Sequence, residues 1–350
     1  MKFYKEYKNL KVLITGTSGF KGAWLSFWLK KLGAKVTGLS LKPKNDERLF
    51  KLLNLDKLIN QKYLNIKDYK RTEHVIRNSK PDIIFHLAAQ SLVSEGYKNP
   101  IDTIETNIIG SANILELTKK YNIPALVYVT SDKCYFNENK NKVFKETDRL
   151  GGFDNYSASK ASAELIFHSY FNSYFQNSKI NIASARSGNV IGGGDFKKNR
   201  IIPDLVLSIK NNKKINLRNP KATRPWQHVM DPLSGYLNLG LKLLNKKIPQ
   251  GTYPSWNFGP KLNNTKNVMN LTKEFLKIWG IKRNIQIMKK GLFHEAKYLK
   301  INISKARKQL NWKPKLNFRK TLELTVDWYK NSTNSKIANK IIQEQLEEFY

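Results

Sequence analysis

The run Lys11-Val12-Leu13-Ile14-Thr15-Gly16-Thr17-Ser18-Gly19-Phe20-Lys21-Gly22 is a short apolar strand that empties into a turn with glycine at every third position. Directly after it, Ala23-Trp24-Leu25-Ser26-Phe27-Trp28-Leu29-Lys30-Lys31-Leu32 reads as a helix stopped by Gly33. Strand, glycine turn and helix in that order predict the opening unit of a nucleotide-binding sheet. The glycines let the backbone approach a pyrophosphate, and the free N–H groups at the helix start supply donors. A GxxGxxG spacing alone is a weak signal that a structural turn could also produce; the strand before it and the helix after it favour the nucleotide.

Outward from this unit, strand and helix patterns alternate. Further strands are predicted at 34–40, 62–66, 82–87, 125–129 and 180–185, with helical spacing at Ile104, Ile108, Ala112 and Leu115 between the fourth and fifth. Alternation of this kind predicts an α/β fold, a doubly wound parallel-sheet Rossmann domain with a smaller, mixed C-terminal lobe for substrate. We place the first domain at 1–185 and the second mainly at 186–350, with some later segments returning to the sheet. Where the second strand ends, an Asp or Glu would accept from an adenosine 2′-hydroxyl and select NAD. Ser40 stands there with Lys42 close behind, so this position leaves NAD and NADP open. Ala88, Ala89 and Gln90 follow the fourth strand and suit a backbone passing close to a cofactor.

The fifth strand, Ala125-Leu126-Val127-Tyr128-Val129, delivers Thr130-Ser131-Asp132-Lys133 to its end. A hydroxyl, a carboxylate and an amine in succession can orient, protonate and deprotonate one small substrate. Tyr156 and Lys160 are four apart and share a helical face, so the ammonium is expected beside the phenol, lowering its pKa and making it a usable base.

The 350 residues are 40% hydrophobic, enough for a substantial core, and carry a net charge of +35. The lysines are spread over most of the chain, and no nucleic-acid motif accompanies them, so the charge predicts steering of a polyphosphate substrate and no nucleic-acid partner. No apolar run approaches the roughly 18–20 residues that span a bilayer, and the first eight residues lack a signal-peptide core, so no membrane association and a cytoplasmic location are expected. The single cysteine, Cys134, excludes an internal disulfide, and no metal site is expected.

With the glycine turn, Ser131, Tyr156 and Lys160 in hand, the sequence resembles the extended short-chain dehydrogenase/reductase superfamily. Further blocks narrow this: Gly19 to Ser26, His86 to Gln90, Thr130 to Tyr135, Arg186 to Asp195, Arg218 to His228 and Lys305 to Pro314 are similar to the CDP-glucose branch of the sugar-nucleotide 4,6-dehydratases. The group as a whole carries Ser/Thr-Asp-Glu where this chain has Ser131-Asp132-Lys133, and the lysine is the mark of that branch. The resemblance implies NAD as a recycled cofactor held by Gly16, Thr17, Ser18, Gly19, Phe20, Lys21, Gly22, Ser40, Asn65, Ile66, Leu87, Ala88, Ala89, Gln90, Tyr156 and Lys160. Asn65 stands where many members hold adenine with an Asp. It also implies catalysis by Ser131, Asp132, Lys133, Tyr156 and Lys160, and CDP-glucose binding by Asn189, Ile201, Ile202, Pro203, Arg224 and His228. Arg224 offers a planar fork for phosphate, or else a structural stacking partner for Trp226.

The implied reaction is dehydration of CDP-D-glucose to its 4-dehydro-6-deoxy product, by a homodimer or homotetramer serving deoxysugar synthesis for surface polysaccharide such as lipopolysaccharide O-antigen. A 4-epimerase, or a dehydratase for another nucleotide sugar, is the nearest alternative; an epimerase has no use for an acid at C6. A non-catalytic nucleotide-binding or nucleic-acid-binding protein is the alternative of another class.

Overall fold

A computed structural model describes residues 3–249, 251–288 and 296–349. Its centre is a seven-stranded, all-parallel sheet. Strands β1 (Lys11–Thr15), β2 (Lys35–Ser40), β3 (Asn60–Tyr63), β4 (Ile83–His86), β5 (Ala125–Val129) and β6 (Asn181–Ser187) are joined at the far edge by Ser255–Phe258. Their spatial order is Ser255–Phe258, β6, β5, β4, β1, β2, β3. The order reverses between β1 and β4, which opens a crevice at their C-terminal ends where ligands of such sheets bind.

The central strands are runs of buried residues because helices cover both faces of the sheet. On one face Val12, Ile14, Phe85, Val127 and Ala185 pack with the helices Phe20–Lys31 and Met230–Leu244; on the other Leu13, Ile84, Leu126 and Tyr128 pack with Gly110–Lys120 and Asn155–Tyr170. Phe20–Lys31 has buried residues right round its circumference, with Trp24 and Trp28 fully enclosed.

β3 starts and ends earlier than the predicted 62–66. It is an edge strand with alternating exposure, and the apolar residues that suggested a later strand, Leu64 and Ile66, instead pack into the core after the chain has left the sheet. The helix predicted near 103–121 is broken by a π turn at Glu105–Ile109.

Parts of the second half join the sheet and its cover. Ser255–Phe258 pairs with β6, and Met230–Leu244, with twelve of its fifteen residues buried, lies on β5 and β6. The remaining strands form short ladders: Val190–Ile191 with Gln227–His228, Thr223–Arg224 with Lys266–Asn267, and Ile215–Leu217 with Ile285–Ile287. The terminal helix Ser335–Phe349 returns to the first half, with Phe349 edge-on to Trp28 and Asn339 donating to the Leu52 carbonyl at 2.9 Å. Among the described residues no helix is long and apolar enough to cross a membrane.

Candidate active site

A cleft of about 1160 Å³ runs along the C-terminal edge of the sheet. Its floor begins at the glycine turn. Gly16 has φ +79°, and a Cβ on it would lie 2.8 Å from the Ala88 nitrogen, so no other residue fits. Gly22 is buried beneath, where a Cβ would meet the Gly16 carbonyl oxygen at 2.0 Å. Gly19 differs: the only neighbour its Cβ would meet within 4 Å is the Gly16 oxygen at 3.4 Å, and its open side faces the cleft. It also begins the helix Phe20–Lys31 with no side-chain cap on the first N–H groups. Open space beside uncapped helix N–H groups fits the pyrophosphate of a dinucleotide.

Beside the turn, Thr15 Oγ1 accepts from the Leu87 and Ala88 N–H groups at 3.1 and 3.0 Å and lies 2.7 Å from His86 Nδ1. With both acceptor directions used, the hydroxyl donates to Nδ1, so His86 donates from Nε2 to Ser111 Oγ at 2.9 Å. Burial pushes this histidine down to about 3, which keeps it neutral. At the second-strand end Ser40 lines the cleft and receives a hydrogen bond from Gln61 Nε2 at 3.1 Å. Gln61 Oε1 accepts from Thr17 at 2.8 Å, so Thr17 braces the turn from behind.

Ser131 is extended and caps one 3₁₀ turn, Asp132–Cys134. Its hydroxyl accepts from the Lys133 N–H at 3.3 Å and donates to Asp132 Oδ1 at 3.1 Å. Asp132 is 2% exposed, and its Oδ2 has no hydrogen-bond partner among the described residues. Gly188 leaves room for that oxygen, since a Cβ there would lie 2.6 Å from it. Burial pushes Asp132 up to about 6 against the pull of Lys133, Ser131, Arg224 and Lys21.

Tyr156 and Lys160 face the cleft from the helix Asn155–Tyr170, whose start is capped by Asp154 accepting from Ser157 N at 2.9 Å. The phenol is not lowered as the sequence suggested. Burial holds it up to about 12, and the opposing pulls come from the Ser131 hydroxyl and Arg200, while burial also brings Lys160 down to about 8. For both groups desolvation is the largest influence.

Of the other residues singled out from sequence, Gly16, Ser18, Gly19, Phe20, Lys21, Ser40, Asn65, Ile66, Leu87, Ala88, Ala89, Gln90, Lys133, Asn189, Ile201, Ile202, Pro203 and Arg224 line the cleft. Three do not. Thr17 and Gly22 lie beneath the turn, and His228 is fully buried against Trp24, where burial takes it down to about 3. Arg224 spends one nitrogen of its fork, Nη1, on the Thr223 and Ala296 carbonyls.

Lys21 turns towards the substrate end. Nζ donates to Ser187 Oγ at 3.2 Å and Tyr236 OH at 3.4 Å, and burial, with Lys160 and Arg200 nearby, brings it down to about 7. Two ties that sequence reasoning missed cross the cleft. Arg200 donates to Asp195 Oδ2 and to Ser91 Oγ, both at 2.9 Å, and Lys197 pairs with Glu47 at 3.3 Å. Asn107, in the π turn, was also missed; it binds the Gln90 backbone on both sides and Ser159 Oγ. Only the polar Lys197-Lys198-Asn199-Arg200 run just before Ile201 hinted at any of these. Among the described residues no three His, Cys, Asp or Glu side chains cluster to hold a metal.

Comparison with known proteins shows the family and the fold. The profile of the family described as GDP-mannose 4,6 dehydratase matches residues 13–325. A CDP-glucose 4,6-dehydratase of Salmonella typhimurium is 40% identical over 332 residues, covering 93% of this chain and 91% of that protein. A dTDP-D-glucose 4,6-dehydratase of Dictyostelium discoideum is 29% identical, covering 93% of this chain and 82% of that one. Among solved structures, a dTDP-glucose 4,6-dehydratase of Bacillus anthracis in complex with NAD superposes with a TM-score of 0.78 at 26% identity, covering 91% of this chain and 96% of that one.

Proposed function

We propose that this chain, which belongs to the GDP-mannose 4,6 dehydratase family, converts CDP-D-glucose to CDP-4-dehydro-6-deoxy-D-glucose with loss of water. The observation that carries a dehydration is Asp132: a buried carboxyl raised to about 6, with one oxygen unpartnered, beside the Ser131 hydroxyl. A group in that state can give a proton to a leaving hydroxyl, a step that 4-epimerisation does not need. The choice of CDP-glucose is supported by the Salmonella relative and by Lys133 at the third place of the turn.

The residues fit NAD: the uncapped helix start and the open side of Gly19 would take the pyrophosphate, with Ser40 and Asn65 at the adenosine end. Bound NAD would supply the hydride acceptor for C4 and the hydride donor for C6, with no net redox change. Tyr156 would remove the proton of the 4-hydroxyl as phenolate, a form that burial disfavours and the Ser131 hydroxyl and Arg200 favour, and Ser131 orients that oxygen. The C4 ketone acidifies C5, where Lys133 acts as base, and the proton it takes up returns to C5 as hydride reaches C6. Asp132 protonates the C6 hydroxyl as it leaves. Arg224 and Asn189 would face the diphosphate, and Ile201, Ile202 and Pro203 the pyrimidine.

A homo-oligomer is part of the proposal. Ile101, Ile104 and Ile109 stand 64%, 38% and 53% exposed along one helical stretch, and Leu165 is 59% exposed. Light scattering on purified protein would report a monomer if this is wrong. The function itself is tested by incubating the protein and NAD with CDP-, UDP-, dTDP- and GDP-glucose. A 4-keto-6-deoxy product from CDP-glucose is expected; product from another nucleotide alone reassigns the substrate, and none from all four removes the dehydratase.

A further inference from the structure

We propose that the buried Glu164–Arg186 ion pair is a positioning frame that holds the catalytic turn and the Tyr156–Lys160 helix in register, acting on turnover more than on substrate affinity. This rests on the functional reading above, which makes Ser131, Asp132, Tyr156 and Lys160 catalytic. Neither Glu164 nor Arg186 reaches the cleft, and both side chains are 0% exposed, with Arg186 Nη2 2.7 Å from Glu164 Oε2. They are positioning residues.

The pair touches both ends of the turn. Glu164 Oε1 accepts from the hydroxyl of Thr130, the residue before Ser131. Arg186 Nη1 donates to Tyr135 OH at 3.0 Å, and Tyr135 is the residue after Cys134. Thr130 and Tyr135 thus bracket Ser131, Asp132 and Lys133. Glu164 lies four residues beyond Lys160 and eight beyond Tyr156 on Asn155–Tyr170, so it extends the face that carries them. The frame is anchored below: Glu164 Oε2 also accepts from Ser184 Oγ of β6 at 2.9 Å. Tyr135 OH donates to Asn257 Oδ1 at 2.7 Å, and Arg186 Nη1 donates to the Glu146 carbonyl at 2.8 Å.

Stability alone is a poor reason for such a pair. Desolvating two charges offsets most of their attraction, and apolar residues of like volume commonly serve a fold as well or better. Arg186 Nε is moreover buried without a hydrogen-bond partner among the described residues. What an ion pair adds is direction. Its bonds fix angles as well as distances, and reacting groups displaced by about 1 Å lose roughly 100-fold in rate.

Thr130→Val tests the frame most narrowly, because it keeps the ion pair and the side-chain shape while releasing the turn. We expect kcat to fall about 10–100-fold with KM within about threefold, and amide hydrogen exchange at 131–135 to quicken while exchange elsewhere is unchanged; Thr130→Ser should restore both. The double variant Glu164→Gln/Arg186→Met leaves no unpaired charge. It should fold, melt within about 5 °C of the parent and lose about 100-fold in kcat. A folded variant of either kind with kcat within about threefold of the parent overturns the frame. If the double variant does not fold, Thr130→Val decides alone. If the parent turns over none of the four nucleotide sugars, the function fails separately, and unchanged exchange at 131–135 in Thr130→Val still overturns the frame.

Discussion

Asp132 and Glu164 are buried carboxylates on two sides of the same catalytic turn, and they sit in opposite states. Burial raises both. Asp132 keeps one oxygen without a partner among the described residues and stays high, at about 6. For Glu164, the Arg186 charge and hydrogen bonds from His168, Arg186 and Thr130 overcome burial and hold it well below the usual carboxylate range. Burial alone therefore does not set protonation; the number and sign of partners decide whether it prevails. The layer at the cleft is left short of partners, so its groups can exchange protons. The layer behind it is saturated, and so holds its shape.

The contrast breaks hardest at the phenol. Tyr156→Phe removes the base and leaves the rest of the cleft intact, so turnover should drop by about 10²–10⁴ with nucleotide-sugar affinity nearly unchanged by calorimetry. Next is Asp132→Asn, where function and stability should part. Water loss should fall about 10²–10³-fold, while the fold gains about 1–3 kcal/mol at pH 8 in denaturant titrations. The sign follows from the raised value: ionising Asp132 costs stability progressively from its ordinary 3.8 to about 6 and fully above, so the gain should vanish below about pH 4. The parent's turnover should likewise decline as pH rises through about 6, the limb that the variant lacks. Lys133→Met should block water loss more than C4 oxidation; parental solvent-deuterium exchange at C5 in that variant would count against Lys133 as base. The smallest effect belongs to the cross-cleft tie, where Lys197→Ala should speed dinucleotide release about 2–5-fold in stopped flow, because the partly exposed pair with Glu47 is worth at most about 1 kcal/mol.

What was legible from sequence had a short-range cause. The glycine turn, β1, β5 and the Tyr156–Lys160 face depend on neighbours in the chain, through apolar runs, caps and helical spacing. The frame and the straps were not legible because folding brings their members from afar: Arg200 meets Ser91 across 109 residues, and Tyr135 meets Asn257 across 122. The π turn left no signal, since it is a shift of backbone bonding within a run of helical spacing, with Asn107 bonded across to Ser159. His228 was drawn to the substrate by its motif and in the fold fills a core site beside Trp24. The phenol was misjudged because a helical face shows proximity but not desolvation.

Cys134 closes the catalytic turn and is the chain's only thiol, fully buried, with burial pushing it far above the ordinary cysteine range. An intact molecule should therefore be inert to alkylating reagents, and each labelling event should record an opening of the turn. The protein carries its own clock for that motion, with no background from a second sulfhydryl. Mass spectrometry of alkylation with and without nucleotide sugar would read whether substrate stops it.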